Sequence, residues 1–303
     1  MKTLATEFFK KYKDLIPDYE GFLDSIRGEI PTSIRLNTLL CDPLWLVDAM
    51  KSSGIELHPT PLGPEFWIAP SLAKPGNSIF HLCGYIYCQN LSSGIPAMVL
   101  GPRPGEVVLD MCAAPGGKTT QMAALMKNTG RIVANEPSRG RQASLVANLR
   151  RLGVTNAIIT AYSGQDFPLR VRFNRILVDA PCSGEGNGRM GPGGELMGTS
   201  PRPRDLHGLQ VRILLRAFDL LEEEGTLVYS TCTYDPMENE AVVDALLKAR
   251  PAKVMPIQLD IPHDQGIEVW KGLSFSREVC NAWRIYPHRL QSVGFFLAKI
   301  CRR

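Results

Sequence analysis

Glu106-Val107-Val108-Leu109-Asp110-Met111-Cys112-Ala113-Ala114-Pro115-Gly116-Gly117-Lys118-Thr119 decides the fold. Residues 106–110 form an apolar run that ends on a carboxylate, as a buried parallel strand does. The next residues are small, and Gly116 and Gly117 allow a tight turn and a close backbone approach to a ligand. A helical pattern follows. Strand, glycine-bearing loop and helix open a βαβ unit, and they put the loop at the carboxyl edge of a sheet, where open α/β folds bind ligands. The loop matches neither GxGxxG nor GxxxxGK[ST], because the upstream glycine of the second pattern is missing. That argues against a dehydrogenase and against a nucleoside triphosphate site.

Working outward, residues 132–136 read as the second strand, ending on Glu136, 26 residues after Asp110. A carboxylate there commonly accepts hydrogen bonds from a ribose diol, which suits any adenosine cofactor. With no diphosphate to cradle, methyl transfer fits better than hydride transfer. Helix 138–152, strands 157–161 and 175–179, helix 204–222, strand 225–230 and helix 237–250 continue the alternation, and 283–285 with 294–299 reads as an antiparallel pair. The expectation is an α/β protein with a Rossmann-like, mostly parallel sheet over residues 84–303. Residues 1–83 read as a small α+β domain. It has two short helices in 1–27, a strand at 33–39, a helix at 43–53, and strands and turns over 55–82. A helix over 84–98 is expected to lead into the main domain.

The chain of 303 residues is 44% hydrophobic and 21% charged, ordinary values for a folded globular protein. A net charge of +4 allows a nucleic-acid partner without demanding one. No secretory h-region and no apolar run near 18 residues is present, so a cytoplasmic protein without membrane attachment is expected. The eight cysteines form no CxxC pair, which argues against a metal site and for free thiols in a reduced compartment. Cys41, Cys83 and Cys88 are expected to be small buried hydrophobes.

Two cysteines stand apart. Cys182, in Asp179-Ala180-Pro181-Cys182-Ser183-Gly184, and Cys232, in Ser230-Thr231-Cys232-Thr233, each follow an apolar strand-like run. Both thiols therefore belong at strand ends beside the cofactor loop. A thiol there becomes a strong nucleophile once its pKa is lowered. The residues alone leave open which thiol attacks. The stretch 184–203 begins just past Cys182 and holds seven glycines and three prolines, which suits a mobile lid or substrate-facing loop.

These motifs together resemble the NOL1/NOP2/Sun family of S-adenosylmethionine-dependent RNA cytosine-5 methyltransferases. The similarity spans most of residues 30–300. It rests on residues 110–119, on the two cysteine motifs with Glu238-Asn239-Glu240, on Arg284-Ile285-Tyr286-Pro287-His288 with Gly294-Phe295-Phe296, and on Ile34-Arg35-Leu36-Asn37. The resemblance implies that Cys232 attacks cytosine C6 and that Cys182 assists release of the methylated RNA. It gives Asp179 the cytosine N3/N4 edge, and Lys118 is expected near the target base. S-adenosyl-L-methionine is expected on Cys112, Ala113, Ala114, Pro115, Gly116, Gly117, Lys118, Glu136, Arg141 and Asp179. The family usually has an aspartate after the third strand to meet the adenine amino group. Here that pair looks like Ser163-Gly164, so Ser163 and Asp166 are both candidates. Arg35 and Asn37 are candidates for RNA contact, with a structural ion pair as the alternative for Arg35. Arg189, Arg202 and Arg204 are candidates for phosphate contact.

The implied partner is tRNA or rRNA presenting a flipped or unpaired cytosine to a monomeric enzyme. Residues 1–83 and the His288 region would rim the RNA groove, and target choice would rest there or on a partner protein. A catalytically silent RNA-binding scaffold is the rival reading, and it would not need both thiols, Asp179 and Lys118 together. A methyltransferase for another base is the second rival.

Overall fold

The computed structural model describes residues 3–199 and 206–303. The chain opens with α1 (Ala5–Phe9) and α2 (Tyr19–Ser25). β1 (Ser33–Leu36) stops short of residue 39 because the Asn37 side chain accepts from the Leu39 amide and turns the backbone. Asp42 caps α3 (Pro43–Ser52) by accepting from the amides of Leu44 and Trp45. β2 (His58–Pro59), β3 (Phe66–Ile68) and the short helix α4 (Ile79–Leu82) follow.

The helix expected over 84–98 is two elements. Ile86–Cys88 forms β4, antiparallel to β1, and the helix α5 begins at Leu91 and runs to Leu100. Ile86 is fully buried in the small-sheet core while Tyr87 faces the cofactor loop, a period of two that tyrosine spacing disguised. The small sheet has the order β2-β3-β1-β4, so it reaches past residue 83. Ile34, Leu46, Met50, Phe80 and Ile86 make its core. The first two helices do not share that core: Phe9, Tyr12, Phe22 and Ile26 pack with Tyr234 and Tyr286 of the main domain.

The main domain continues with β5 (Val107–Asp110), α6 (Gly117–Leu125), β6 (Arg131–Asn135), α7 (Arg139–Arg151), β7 (Ala157–Thr160) and β8 (Phe173–Asp179). A hairpin, β9 (Arg189–Met190) and β10 (Leu196–Met197), precedes α8 (Leu206–Asp219), β11 (Leu221–Thr231), α9 (Glu240–Ala249) and β12 (Ala252–Met255). β13 (Asp264–Gln265), the hairpin β14 (Val269–Trp270) and β15 (Leu273–Ser274), β16 (Trp283–Ile285), α10 (Pro287–Leu290) and β17 (Phe295–Arg302) complete it. The sheet order is β7-β6-β5-β8-β11-β17-β16-β13, with β12 also on β17. β7 to β11 are parallel, and β17 is antiparallel to β11. This is the expected Rossmann-like α/β sheet.

Alternation along the strands divides the core. Leu109, Ile176, Val178, Leu227 and Tyr229 face α8 and α9, which present Ile213, Leu214, Phe218, Val242 and Leu246. Val108, Leu177 and Val228 face the other way, onto α5 and α6. Strand order reverses between β5 and β8. A crevice at their carboxyl ends is the favoured ligand position in such a sheet.

Residues 184–199 are not a free lid. β9 and β10 are strapped to the N-terminal segment: Ala5 donates to Gly194 O, Leu196 to Thr3 O and Met190 to Ile26 O. Gly186 donates to Cys232 O and accepts from the Gly294 amide. A Cβ at Gly186 would lie 2.2 Å from Gly294 O, so only glycine fits this three-way crossing. Arg202 and Arg204 lie outside the described residues.

Candidate active site

β8 and β11 run parallel with Asp179 opposite Ser230. Cys182 lies three residues beyond the first, and Cys232 two beyond the second. Register alone therefore carries both thiols to one place. Their sulfurs stand 3.3 Å apart, and the Cys232 amide donates to Cys182 Sγ at 3.3 Å. The Glu238-Asn239 pair ties the two loops. Glu238 accepts from the Ser183 amide and Gln210, and Asn239 bonds Thr231 Oγ1 and Thr233 O. Glu240 instead holds the buried Arg284 in a two-pronged ion pair.

The surroundings make the thiols unequal. Cys182, donating to Cys232 Sγ, holds the Cys232 thiol below its ordinary pKa, with the Lys118 charge and Asn187 Nδ2 at 3.5 Å adding to the effect against burial and Asp179. The same hydrogen bond and burial push Cys182 well up. The Cys232 amide on Cys182 Sγ works the other way, and Lys118 and Asn187 add to the lowering of Cys232 that the Cys182 hydrogen bond begins. Burial alone would lower the Lys118 pKa, yet Asp179 turns the shift upward. Lys118 Nζ lies 2.7 Å from Asp179 Oδ2 and 2.9 Å from Ser93 Oγ. The Ser230 hydroxyl donates to Asp179 Oδ1 at 2.8 Å.

These groups border a cavity of about 670 Å³. Lys118, Asp179, Cys182, Asn187 and Cys232 lie at one end. Cys112, Ala114, Pro115, Glu136, Arg141 and Ser163, with Gly164 and Gln165, lie along the rest, among the apolar side chains of Met111, Pro137, Leu209 and Ile213. Asp166 is exposed and does not line it. A smaller chamber of about 180 Å³ adjoins, lined by Asp110, Ala113, Gly117, Lys118, Asp179 and Tyr87. Gly116 borders neither. A Cβ at Gly117 would lie 2.8 Å from the Tyr87 ring, so the small residue there admits the N-terminal sheet as well as a ligand.

In the sequence Asp110 shows only as the end of the first buried strand. Its carboxyl is fully buried, burial pushes its pKa up to about 7, Thr119 Oγ1 donates to Oδ2 at 2.6 Å, and Oδ1 has no well-formed partner. Glu136 is equally buried but answered: it accepts from the Ser138 amide and pairs with Arg141 at 3.0 Å. Arg141 also donates to Ala114 O, which clamps the loop to α7. Asn187 and Ser93 carry no signal in the sequence, because each reaches the site from a segment without a chemical motif, whereas Ser230 lies inside the Cys232 motif but shows its role only through the pairing of β11 with β8.

Arg35 and Asn37 are corrections. Arg35 is 3% exposed and donates to Thr120 Oγ1 at 2.8 Å, with its guanidinium over the Tyr87 ring. Asn37 is buried and donates to Gly84 O and Leu152 O. Both fasten the small sheet to α6 and α7 and neither reaches a surface. Cys41 and Cys88 are half-buried and Cys83 is exposed, so these three are not the buried hydrophobes expected. Among the described residues no cluster of three metal-ligating side chains occurs, and no helix is long and apolar enough to cross a membrane.

Comparison with known proteins agrees with this geometry. Residues 97–301 match the family model for the 16S rRNA methyltransferase RsmB/F, and residues 4–91 match the N-terminal domain of 16S rRNA methyltransferase RsmF. The chain is 39% identical over 302 residues to the tRNA (cytosine(49)-C(5))-methyltransferase of Pyrococcus abyssi, covering 99% of this chain and 96% of that one. It is 39% identical over 305 residues to the human 28S rRNA (cytosine(4447)-C(5))-methyltransferase, of which it spans 37%. The solved structure of a methyltransferase homologue from Pyrococcus horikoshii superposes with a TM-score of 0.84 at 33% identity, over 99% of this chain and 95% of that one. The chain belongs to the NOL1/NOP2/Sun family of RNA cytosine-5 methyltransferases.

Proposed function

We propose that the protein methylates C5 of an unpaired or flipped cytosine in tRNA or rRNA through a covalent Cys232 adduct, with S-adenosyl-L-methionine as methyl donor. The observation that carries this reading is the asymmetric thiol pair bordering a cavity that fits an adenosine cofactor. Glu136 suits a ribose diol, and the Met111, Pro137, Leu209 and Ile213 surfaces suit a flat base. The buried Asp110 carboxyl, which meets the Cys112 amide only marginally and whose Oδ1 has no well-formed partner, suits a cation such as an amino-acid ammonium. Ser163 borders the cavity and Asp166 does not, which favours Ser163 for the adenine edge.

Cytosine C5 is too weak a nucleophile to be methylated unaided. Cys232 adds as thiolate to C6, which makes C5 enamine-like. When bound, S-adenosyl-L-methionine supplies the electrophilic methyl group that C5 takes up. Asp179, fixed by Lys118 and Ser230, accepts from the N4 amino edge, and the Lys118 ammonium beside it offsets the negative charge that thiolate addition develops on the N3 side of the ring. Water takes up the C5 proton, and the electron pair it leaves restores the C5–C6 double bond as the Cys232–C6 bond breaks. Cys182, 3.3 Å from Cys232 and with its own thiol held protonated, would return a proton to the departing Cys232 sulfur.

The near-complete overlap with a tRNA enzyme favours tRNA over rRNA. The test is incubation with total RNA and labelled cofactor, followed by mapping of 5-methylcytosine. Cys232→Ala should reduce methylation by roughly 10³-fold or more. Cys182→Ala should accumulate a protein–RNA adduct that survives denaturation and disappears when Cys232 is also replaced. Full activity without Cys232 would overturn the mechanism.

A further inference from the structure

Besides the catalytic cavity and its adjoining chamber, a separate cavity of about 470 Å³ lies behind one wall of the catalytic one. The wall is shared: Asn187 and Val293 face the catalytic cavity, while Arg189 and Ser292 face the separate one. The opposite side is the α2 end of the N-terminal segment, with Ser25, Glu29 and Ile30. His288 and Gln291 close the rim. We infer that this cavity takes the base of the nucleotide next to the target cytosine. The inference rests on the RNA methyltransferase reading above and adds a recognition subsite to it.

Three observations favour a base. Arg189 is half-buried, and its guanidinium donates only to backbone carbonyls, Gly188 O at 3.0 Å and Ser292 O at 3.2 Å. Among the described residues no carboxylate lies within ion-pair distance of it. A cation so placed between two cavities matches the phosphate that joins two nucleotides. Second, Glu29 lines the far cavity, with no cation paired to it among the described residues. A carboxylate there disfavours a phosphate and accepts from an exocyclic amino group of a base edge. Third, the rim is one that unstacked bases use. His288 lies flat on Tyr286 with centroids 5.7 Å apart, and burial, then Arg289, lowers its pKa, so the ring is neutral at neutral pH. Neither His288 nitrogen has a well-formed partner, the Pro17 carbonyl giving only a marginal contact. The cavity therefore favours an amino-bearing base, adenine, cytosine or guanine, over uracil.

The test uses the full chain and a short RNA centred on the cytosine that the wild-type protein methylates. The nucleotide on each side is replaced in turn by an abasic residue or by uridine. In the wild type, an abasic residue on one side only should raise KM about tenfold with little change in kcat. Uridine on that side should raise it by a comparable amount. In the E29A/Q291A double variant the same replacements should change KM less than about twofold. Both side chains are exposed, so the variant should fold, and its melting temperature checks this. Equal abasic penalties in wild type and variant, or none on either side, would overturn the subsite. Absence of methylation of the unmodified RNA by the wild type would instead overturn the underlying reading.

Discussion

Ser230 and Asp179 occupy the same level of two adjacent parallel strands, and the buried Ser230 hydroxyl donates to Asp179 Oδ1 at 2.8 Å. Lys118 holds the other oxygen. The carboxylate therefore reaches the reaction with its orientation already set by the sheet, and substrate need not arrange it.

Ser230→Ala removes one of these two restraints. It should lower kcat about tenfold, since a hydrogen bond to a charged group is worth roughly 1.5–3 kcal/mol, and leave KM for RNA nearly unchanged. Asp179→Ala should cost far more. A KM effect from Ser230→Ala larger than its kcat effect would show that Ser230 serves binding and does not position Asp179.

The lowered Cys232 pKa fixes a pH dependence. Only the thiolate adds to C6, so kcat/KM should rise with pH and level off below the range of an ordinary thiol. Lys118→Met removes a cation and Asn187→Ala a donor, and both losses favour the neutral thiol. Each should move the profile to higher pH, Lys118→Met by about one unit. A profile for Asn187→Ala that keeps its midpoint would mean that Asn187 only packs the loop.

Much of this site was legible in the chain, because strand-end residues keep their address when apolar runs are clear. Glu136, Asp179, Cys182 and Cys232 all follow such runs, and they meet where the parallel sheet dictates; Asp110 shows only as a strand end. Asn187 was not legible. It reaches Cys232 because Gly186 crosses Cys232 and Gly294, and because β9 and β10 are strapped to residues near the N-terminus, contacts with no local signature. Arg35 and Asn37 misled for a related reason. A polar pair in a short strand looks like a surface until the packing of β1 against α6 and α7 is known. The tyrosines at 85 and 87 sit at spacings that a helix and a strand both allow, and tertiary pairing with β1 decided for the strand.

Asp110 should make the protein's stability fall as pH rises. Its folded pKa of about 7 lies above its unfolded value, so the native state binds more protons between those limits. Its destabilising effect is absent below about pH 4, grows as pH rises toward 7, and is complete above that. Asp110→Asn keeps an acceptor for Thr119 and abolishes the titration. Without cofactor the variant should melt higher than the wild type at pH 8, keep only part of that advantage at pH 5 and lose it below about pH 4. It should also bind S-adenosyl-L-methionine more weakly, because the unanswered oxygen has lost its charge. Parallel melting curves across pH would place the titration elsewhere.

Asn37 provides the sharpest separation of structure from RNA binding. Its amide nitrogen donates to Gly84 O at 2.8 Å and Leu152 O at 2.9 Å, so one side chain joins β1, the turn before β4 and the end of α7. Asn37→Ala leaves two buried carbonyls unanswered and should cost about 2–3 kcal/mol of stability. An RNA-contacting residue at this position would behave differently, since its loss would weaken RNA affinity with little change in unfolding. At a temperature where the variant remains folded, its RNA affinity should stay within about twofold of wild type, with the same dependence on salt. A shallower salt slope with an unchanged melting temperature would return Asn37 to the RNA interface and contradict the buried clamp seen here.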